Sequence, residues 1–187
     1  MRKSLLLFIF LISSSLSGLY AAGIGEEAVS FTGQKDKWGI GIEGGVNTGG
    51  LFSSSGFLAG FPDAWVALSL HIPKTSMLLS GGLAGTAFGS YGINANMDIF
   101  MAATQPANWF ELHLFLGFGA TLYSYHNGIG LSAGLRLPLG MSFWLWNWFE
   151  ISLNVTPIVG LGLGVSDPIK FWLHLDAPLD LGVRFWF

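Results

Sequence analysis

Charged side chains are rare in this chain of 187 residues, and several of them could act together. Charged residues make up 10% of the sequence, whereas hydrophobic residues make up 51%. The residues that could form one cluster are two arginines and five acids: Arg136, Arg184, Glu43, Asp98, Glu111, Glu150 and Asp180. Arginine forms bidentate ion pairs with carboxylates, while neighbouring carboxylates can instead carry protons. We therefore expect either a self-satisfied network of ion pairs or a path for protons or ions, and we favour the network.

Two other sequence patterns could indicate a cofactor site or a metal site, but the neighbouring sequence supports neither. Gly39, Gly41 and Gly44 have the glycine spacing of a dinucleotide-binding loop. That loop must lead into a helix, and no helical pattern follows here. The better interpretation is that these glycines lie on the inner face of a narrow barrel, where larger side chains would not all fit. The four histidines lie on separate segments without the spacing of metal ligands. No metal site and no cofactor is expected.

The elements that must position these residues are indicated by a period of two. From Gly130 to Trp144, every odd position is apolar, and no even position carries a large aliphatic side chain. The same alternation recurs, less sharply in two cases, in seven further segments that begin at Trp38, Ala64, Met77, Ile93, Glu111, Glu150 and Leu179. Such alternation is typical of β-strands with one apolar and one polar face. The sequence predicts eight strands.

The same segments could be taken for membrane-spanning helices, because stretches such as residues 75–97 are long and uncharged. Helices of this sequence would place Glu43, Asp98 and Arg136 in lipid at a cost of several kcal/mol each. A closed barrel turns all three inward and pairs every backbone group without helices. We therefore predict an all-β fold, an eight-stranded antiparallel transmembrane β-barrel in a bacterial outer membrane, present as a monomer.

The connections predict which end of the barrel faces which side. Short turns are expected at 73–76, 104–108 and 145–148 on the periplasmic side, where both termini would also lie. Longer extracellular loops are expected at 47–63, 89–92, 125–128 and 160–176. Aromatic side chains at the periplasmic rim would then form the interfacial girdle of such barrels. Its predicted members are Trp38, Trp109, Phe110, Trp144, Trp146, Trp148, Trp186 and Phe187.

The charged set of the first paragraph falls on the inner face of this barrel. Counting residues up from the periplasmic rim places Arg184 between Glu150 and Glu43, on the two neighbouring strands. We hypothesise that these three side chains form a cluster that plugs the lower lumen. An eight-stranded barrel is only wide enough to be filled by its own side chains or to hold one small ligand, so no open pore is expected.

The N-terminus has the pattern of a secretory signal peptide. Its first 22 residues begin with two basic residues, continue through an apolar run at residues 5–12, and end in small residues. That run is shorter than the roughly 20 residues a spanning helix requires. The predicted organisation is a signal peptide (1–22), a short periplasmic segment (23–37) and the barrel (38–187). The formal net charge of -3 shows no basic excess, so no nucleic-acid partner is expected, and there is no cysteine.

The last residues, "GVRFWF", resemble the C-terminal recognition signal of bacterial outer-membrane barrels. That resemblance implies that Val183, Phe185 and Phe187 are read by the outer-membrane insertion machinery. The segments "GIGLSAGLRLPLGMSFWL", "WFEISLNVTPIVGL" and "DAPLDLGVRFWF" are similar to the closing strands of a family of small spirochaete outer-membrane proteins. Those proteins have an OmpA/OmpX-like barrel and are related in pattern to the OmpW class. The resemblance implies a surface protein that contacts host molecules or small solutes and has no agreed enzymatic role.

Two functional classes follow from these observations. The first is a surface-exposed structural barrel, porin-like in fold, that contacts host molecules or ligands through its extracellular loops, mainly 47–63 and 160–176. The second is an OmpW-like carrier of small apolar solutes across the outer membrane. The predicted inward side chains that suggest a carrier are Phe88, Phe100, Phe115 and Ile158.

A lipid A-modifying enzyme is a third alternative, because such enzymes also use eight-stranded barrels with a Ser/His/acid constellation at the outer rim. Ser124, His126 and either Asp63 or Asp167 could supply those residue types. However, Ser124 and His126 fall in one short loop, and nothing marks a nucleophile. We therefore expect no enzymatic activity.

Overall fold

The computed structural model describes residues 36–46, 64–85, 91–125, 128–165 and 169–187. The predicted signal peptide, most of the predicted periplasmic segment and the predicted loop 47–63 lie outside these ranges. Within them, the regular secondary structure consists of β-strands. No helix in the described part of the chain is long and apolar enough to cross a membrane.

Eleven strand segments make up the described fold. They are β1 (Gly39–Val46), β2 (Ala64–His71), β3 (Met77–Gly85), β4 (Tyr91–Ala107), β5 (Phe110–Tyr125), β6 (Gly128–Arg136), β7 (Leu139–Trp146), β8 (Phe149–Val155), β9 (Ile158–Val165), β10 (Lys170–Asp176) and β11 (Leu179–Trp186). All neighbouring segments pair in the antiparallel sense.

The eleven segments form eight strands. The same edge of β5 pairs with β6 and then with β7, so β6 and β7 are two halves of one strand. By the same reasoning, β8 continues into β9, and β10 continues into β11. Because β11 pairs with β1, and β1 with β2, the sheet closes on itself. The prediction of an eight-stranded antiparallel β-barrel is confirmed.

Each of the three divided strands is interrupted at a proline, namely Pro138, Pro157 or Pro178. Proline has no backbone N–H, so it cannot donate a hydrogen bond to the neighbouring strand. The strand register nevertheless continues through each break, because the proline carbonyl still accepts a hydrogen bond. The Leu137 N–H donates to the Pro157 oxygen at 2.9 Å, and the Thr156 N–H donates to the Pro178 oxygen at 3.0 Å.

The two ends of the barrel differ in their connections. The turn end carries the connections after β2, β4 and β7, together with Trp38 and Phe187, which exchange two backbone hydrogen bonds of 2.9 and 3.0 Å. The opposite end, the loop end, carries the connections after β1, β3, β5 and β9. At the turn end, residues 73–76 form the predicted turn, in which Lys74 has a φ of 61°.

Five predicted connections are corrected. The segment 160–176 is wrong as a loop, because β9 runs to Val165 and β10 covers Lys170–Asp176. Its glycines alternate with apolar residues, which is itself a strand pattern with an inner face of glycine. The segments 104–108 and 145–148 are shorter turns than predicted, because β4 continues to Ala107 and β7 to Trp146. The loops predicted at 89–92 and 125–128 are shorter as well, because β4 begins at Tyr91, β5 runs to Tyr125 and β6 begins at Gly128.

Along the strands that the sequence predicted, the inner and outer faces agree with the burial of the side chains. On β6, Leu135 is 62% exposed, whereas the adjacent Arg136 is 7% exposed. Among the side chains that are fully buried, polar ones predominate, and the largest are His71, Thr156, Ser132 and Ser142. The barrel therefore has a polar interior and an apolar outer surface.

Candidate functional site

The turn-end half of the lumen contains an ion-pair cluster centred on Arg184. Its Nη1 lies 2.9 Å from Oε2 of Glu150, and its Nη2 lies 4.0 Å from Oε2 of Glu43. The strand register explains the arrangement. Arg184 is the direct cross-strand partner of Glu150, while Glu43 on the other neighbouring strand faces Gly182, two residues from Arg184. The structure thus places Arg184 between the two acids that were expected beside it.

Glu150 gathers further donors beyond Arg184. Its Oε2 accepts a hydrogen bond from Trp186 Nε1 at 2.9 Å, and its Oε1 accepts one from the Ser142 hydroxyl at 2.5 Å. Both oxygens are therefore occupied, as a buried carboxylate requires. Ser142 and Trp186 were missed as partners of Glu150, although the alternation does put both of them on the inner face.

A second ion pair is centred on Arg136, nearer the middle of the barrel. Its Nε lies 3.0 Å from Oδ1 of Asp98, and its Nη2 lies 3.9 Å from Oδ2 of Asp180. Asp180 Oδ2 also accepts a hydrogen bond from the Thr156 hydroxyl at 2.6 Å. Together, the Arg184 cluster and the Arg136 cluster connect side chains of β1, β4, β6, β8 and β11 across the lumen.

Gly117 makes the Arg136–Asp98 contact sterically feasible. It lies on β5, between Asp98 on β4 and Arg136 on β6, in the same register row. A Cβ atom at Gly117 would collide with the Asp98 carboxylate and the Met97 carbonyl. A glycine at this position therefore lets the acid lie against the wall and reach across β5 to the arginine.

Glu111 and His113 lie on β5, nearer the turn end than the row of Arg136. They form a side branch of the ion-pair network. Nδ1 of His113 lies 3.9 Å from Oε1 of Glu111, and Nε2 lies 2.7 Å from Oδ1 of Asn154. Since an amide oxygen only accepts, Nε2 is the donor in that bond. Glu111 and His113 are 3% and 6% exposed, so the branch is enclosed.

Two tryptophans close the lumen at the turn end, which corrects the predicted girdle. Trp144 and Trp186 are 9% and 2% exposed, with ring centroids 5.7 Å apart, so they lie inside the barrel. The His71 ring lies 5.0 Å from that of Trp186, and the Arg184 guanidinium lies 5.6 Å from the same ring. The prediction that these two tryptophans belong to the outer girdle was wrong because both occupy even, inward positions.

The remaining predicted girdle residues lie at the outer rim of the turn end or beside it. Trp109 is 60% exposed, Trp146 is 59% exposed and Phe187 is 66% exposed. Stacked pairs connect the set, including Trp146 with Trp148 at 5.2 Å and Trp148 with Phe185 at 5.9 Å. Val183, Phe185 and Phe187 share the outer face of the last strand and its end.

An apolar cluster fills the lumen wall on the side of β3, β4 and β5. It contains Leu78, Phe100 and Phe115, with Ala103 packed against it. The rings of Phe100 and Phe115 meet edge to face, with centroids 5.6 Å apart. The two phenylalanines that suggested a solute passage therefore pack against each other. Phe88, the third, lies outside the described residues.

Small cavities lie in the described part of the lumen, one above the other. The upper cavity, towards the loop end, measures about 30 Å³, and the lower one, among the acids, measures about 20 Å³. One water needs roughly 10–15 Å³ on this measure, so the upper cavity has room for about two to three waters and the lower one for about one to two. Arg136, Asp180 and Trp65 line both cavities and stand between them. In the part of the chain that the structure describes, side chains of the ion-pair clusters occupy the lumen between these two cavities.

The other sequence candidates do not form a site in the structure. Gly39, Gly41 and Gly44 lie within β1. The Ser124 hydroxyl accepts a hydrogen bond from the Tyr91 N–H at 3.2 Å, while His126, Asp63 and Asp167 lie outside the described residues. Among the residues that are described, no three His, Asp or Glu side chains are grouped so that they could hold a metal ion.

Comparisons with known proteins add no relative to this picture. No protein-family model matches the sequence, and no curated protein is significantly similar to it. The interpretation therefore depends on the barrel and its lumen.

Proposed function

We propose that this protein is an outer-membrane β-barrel of the OmpA/OmpX-like kind, whose closed lumen serves stability and whose loop end carries its contacts. The observation that carries the proposal is that polar side chains lie inside the barrel and apolar ones outside, the reverse of a protein folded in water. Leu161, Leu68 and Leu83 are 69%, 67% and 65% exposed on the outer face, whereas Arg184 and Asp98 inside are 5% and 4% exposed. In water, such an outer surface would be an aggregation liability, whereas lipid is the solvent in which it is favourable.

The aromatic rim supports one orientation of this barrel in the membrane. Trp38, Trp109, Trp146, Trp148 and Phe187 surround the turn end, and exposed aromatic rings favour the level of the lipid headgroups. Short turns on one side are typical of the periplasmic end of such barrels. We place the turn end, with residues 36–38 and Phe187, in the periplasm and the loop end at the cell surface. The outward Val183, Phe185 and Phe187 would be the residues read by the insertion machinery.

A structural or interaction role fits the lumen better than transport. The described interior contains two buried arginine clusters, the apolar cluster of Phe100 and Phe115, and the tryptophan floor, which is the buried pair Trp144 and Trp186. The cavities between them are of water size. The carrier of apolar solutes has less support, because Phe100 and Phe115 pack together instead of lining a passage. Contacts with a host molecule or ligand would then fall to segment 47–63 and to the β9–β10 hairpin. We propose a monomer with membrane lipid as its solvent and without enzymatic activity.

Folding into lipid vesicles tests the proposal directly. The full chain, diluted from urea into phosphatidylcholine vesicles, should insert, resist added protease along its strands, and migrate faster on gels unless it is boiled. A vesicle-trapped small dye should stay inside. A chain that remains outside the vesicles would contradict membrane insertion, while insertion accompanied by rapid dye release would contradict the closed lumen.

A further inference from the structure

The three divided strands, β6–β7, β8–β9 and β10–β11, are apolar along almost the whole of their outer side. On the first of them, every second residue from Ile129 to Leu145 is apolar, over seventeen positions. The other two show the same pattern over 149–165 and 169–187. A strand tilted by about 40° rises roughly 2.5 Å per residue along the barrel axis, so seventeen positions cover about 40 Å. Such barrels span lipid with a band of only about 25 Å, or about 9–11 residues.

The two ends of this long apolar side differ in chemistry. A span of about eleven residues, centred on each strand, leaves outer residues beyond it at both ends. At the turn end these residues include Phe143, Phe185 and Phe187, which lie in or beside the aromatic girdle. At the loop end they are mainly aliphatic, whereas tryptophan and tyrosine are the residues enriched at the level of the headgroups. We call this second set the upper apolar face: Ile129, Leu131, Leu163, Val165, Ile169 and Phe171.

Strand pairing makes the upper apolar face one continuous surface. Ile129 is the register partner of Val165, and Leu131 is the partner of Leu163, which in turn faces Phe171. Phe171 is 78% exposed, so the surface is open to whatever surrounds the barrel. Every outer position of the described β6, β9 and β10 is apolar. The upper apolar face therefore passes into the wall below it without a polar boundary.

The distribution of charge favours lipid over a protein as the partner of this surface. On the described β6, β9 and β10, the charged residues are Arg136, Lys170 and Asp176, and all three stand at inward positions of the alternation. Interfaces between proteins are normally surrounded by a polar rim, which the described part of this surface lacks. Acyl chains need no such rim. The surface is also continuous with the wall that the proposed function assigns to lipid.

We propose that the upper apolar face binds acyl chains of the outer leaflet and holds the bilayer locally thicker along β6, β9 and β10. Its preferred partner is a lipid with long chains, because short chains would end below Ile129 and Phe171. A bilayer that is thinner than the apolar surface it surrounds thickens locally or lets the protein tilt, at a modest cost in free energy. This inference rests on the proposed membrane location and names the lipid that the barrel selects.

Fluorescence quenching tests whether lipid covers the upper apolar face. The chain contains no cysteine, so single cysteines can be labelled with a fluorescent dye in the full-length protein. The variants are Phe171→Cys on the face, Leu135→Cys lower on the same wall and Gln105→Cys at the turn end. Each is inserted into phosphatidylcholine vesicles with chains of about 20 carbons and, separately, of about 14 carbons. Iodide is the quencher, because an anion does not enter hydrocarbon.

In the long-chain vesicles, quenching at Phe171 should be as weak as at Leu135 and at least about fivefold weaker than at Gln105. In the short-chain vesicles, quenching at Phe171 should rise, while quenching at Leu135 should not. Quenching at Phe171 that is as strong as at Gln105 in both kinds of vesicle would overturn the proposal. A barrel that fails to insert into either kind of vesicle would instead contradict the proposed function.

A series of chain lengths tests whether the barrel selects long-chain lipids. The urea concentration at half unfolding is measured in phosphatidylcholines with chains from about 14 to about 22 carbons. For the parent it should be highest at about 20 carbons or more, and Ile129→Ser/Ile169→Ser/Phe171→Ser should move that optimum about two to four carbons lower. Leu83→Ser is the matched control, because Leu83 is 65% exposed but lies on β3, outside the three long strands. It should lower the midpoint without moving the optimum. The same optimum for the parent and the triple variant would refute the assignment.

Discussion

Arg184 and Glu150 face each other across β11 and β8, with 2.9 Å between Nη1 and Oε2, and both are at most 5% exposed. The pair lies inside a barrel whose wall is apolar on its outer side, so neither charge can turn towards water. Such a pair contributes less to stability than its Coulomb energy suggests, because both charges had to be desolvated. Removing Glu150 alone has a larger effect, since Arg184 then loses its nearest carboxylate and keeps only Glu43, at 4.0 Å, as a counter-charge.

Glu150→Ala is therefore expected to destabilise the folded barrel by about 3–5 kcal/mol, the usual effect of leaving a buried charge unpaired. The free energy of unfolding in urea, measured for protein inserted into vesicles, reports the change. The triple variant Glu43→Gln/Glu150→Leu/Arg184→Leu is the control, because it removes all three charges of the cluster together and should lose less. A triple variant that is less stable than Glu150→Ala would contradict this account.

Leu135→Arg distinguishes a membrane barrel from a water-soluble one. Leu135 is 62% exposed, so arginine at this position would be nearly neutral in water. In a bilayer, arginine near mid-depth on the lipid face costs about 2–4 kcal/mol. Leu145→Arg, close to the rim and 52% exposed, should cost about 0–1 kcal/mol because the penalty falls towards the interface. Urea unfolding from vesicles measures both, and equal effects would argue against the proposed depth of the two residues.

Gly117→Ala tests the contact between Arg136 and Asp98 without removing either charge. The added Cβ collides with the Asp98 carboxylate and with backbone, so the change should destabilise by about 1–3 kcal/mol, as overpacking does. Gly81→Ala is the matched control, because a Cβ there meets nothing closer than the Asn94 carbonyl at 3.7 Å. If both substitutions have the same effect on unfolding free energy, the steric argument for Gly117 fails.

Trp186→Ala tests the tryptophan floor. Trp186 is 2% exposed and donates to Glu150, so its truncation should cost about 3–5 kcal/mol, in the range for large aromatic side chains. Trp146→Ala, at an outward position that is 59% exposed, should cost clearly less. Unfolding followed by tryptophan fluorescence gives both values. A larger loss for Trp146 than for Trp186 would show that the floor does not stabilise the barrel.

Much of the fold could be predicted from local pattern. Strict alternation from Gly130 to Trp144 identified which residues face inward, and the structure follows it through the break at Pro138. The segment 160–176 was mistaken for a loop because its inward positions carry glycine, which resembles a flexible connection in sequence. Trp144 and Trp186 were placed in the girdle because aromatic residues near a rim suggest an interface, although their parity indicated the interior.

The candidate site could be predicted only in part. The position of Arg184 near Glu150 and Glu43 follows from counting along three strands that are neighbours in the predicted order. The Arg136 cluster could not be derived in this way, because Asp98 lies two strands away from Arg136. Their contact depends on the space that Gly117 leaves on the strand between them. The partners Ser142 and Thr156 were recognisable only as small polar residues on the inner face.

The sequence by itself determined the class of fold, the number of strands and the face of most residues on the strands it predicted, because successive side chains of a strand point to opposite sides whatever the neighbouring strands are. Only the tertiary structure decided which acid meets which arginine and that Phe100 packs on Phe115. Those contacts join residues far apart in the chain, and they depend on strand register and barrel closure, which a periodic pattern does not encode.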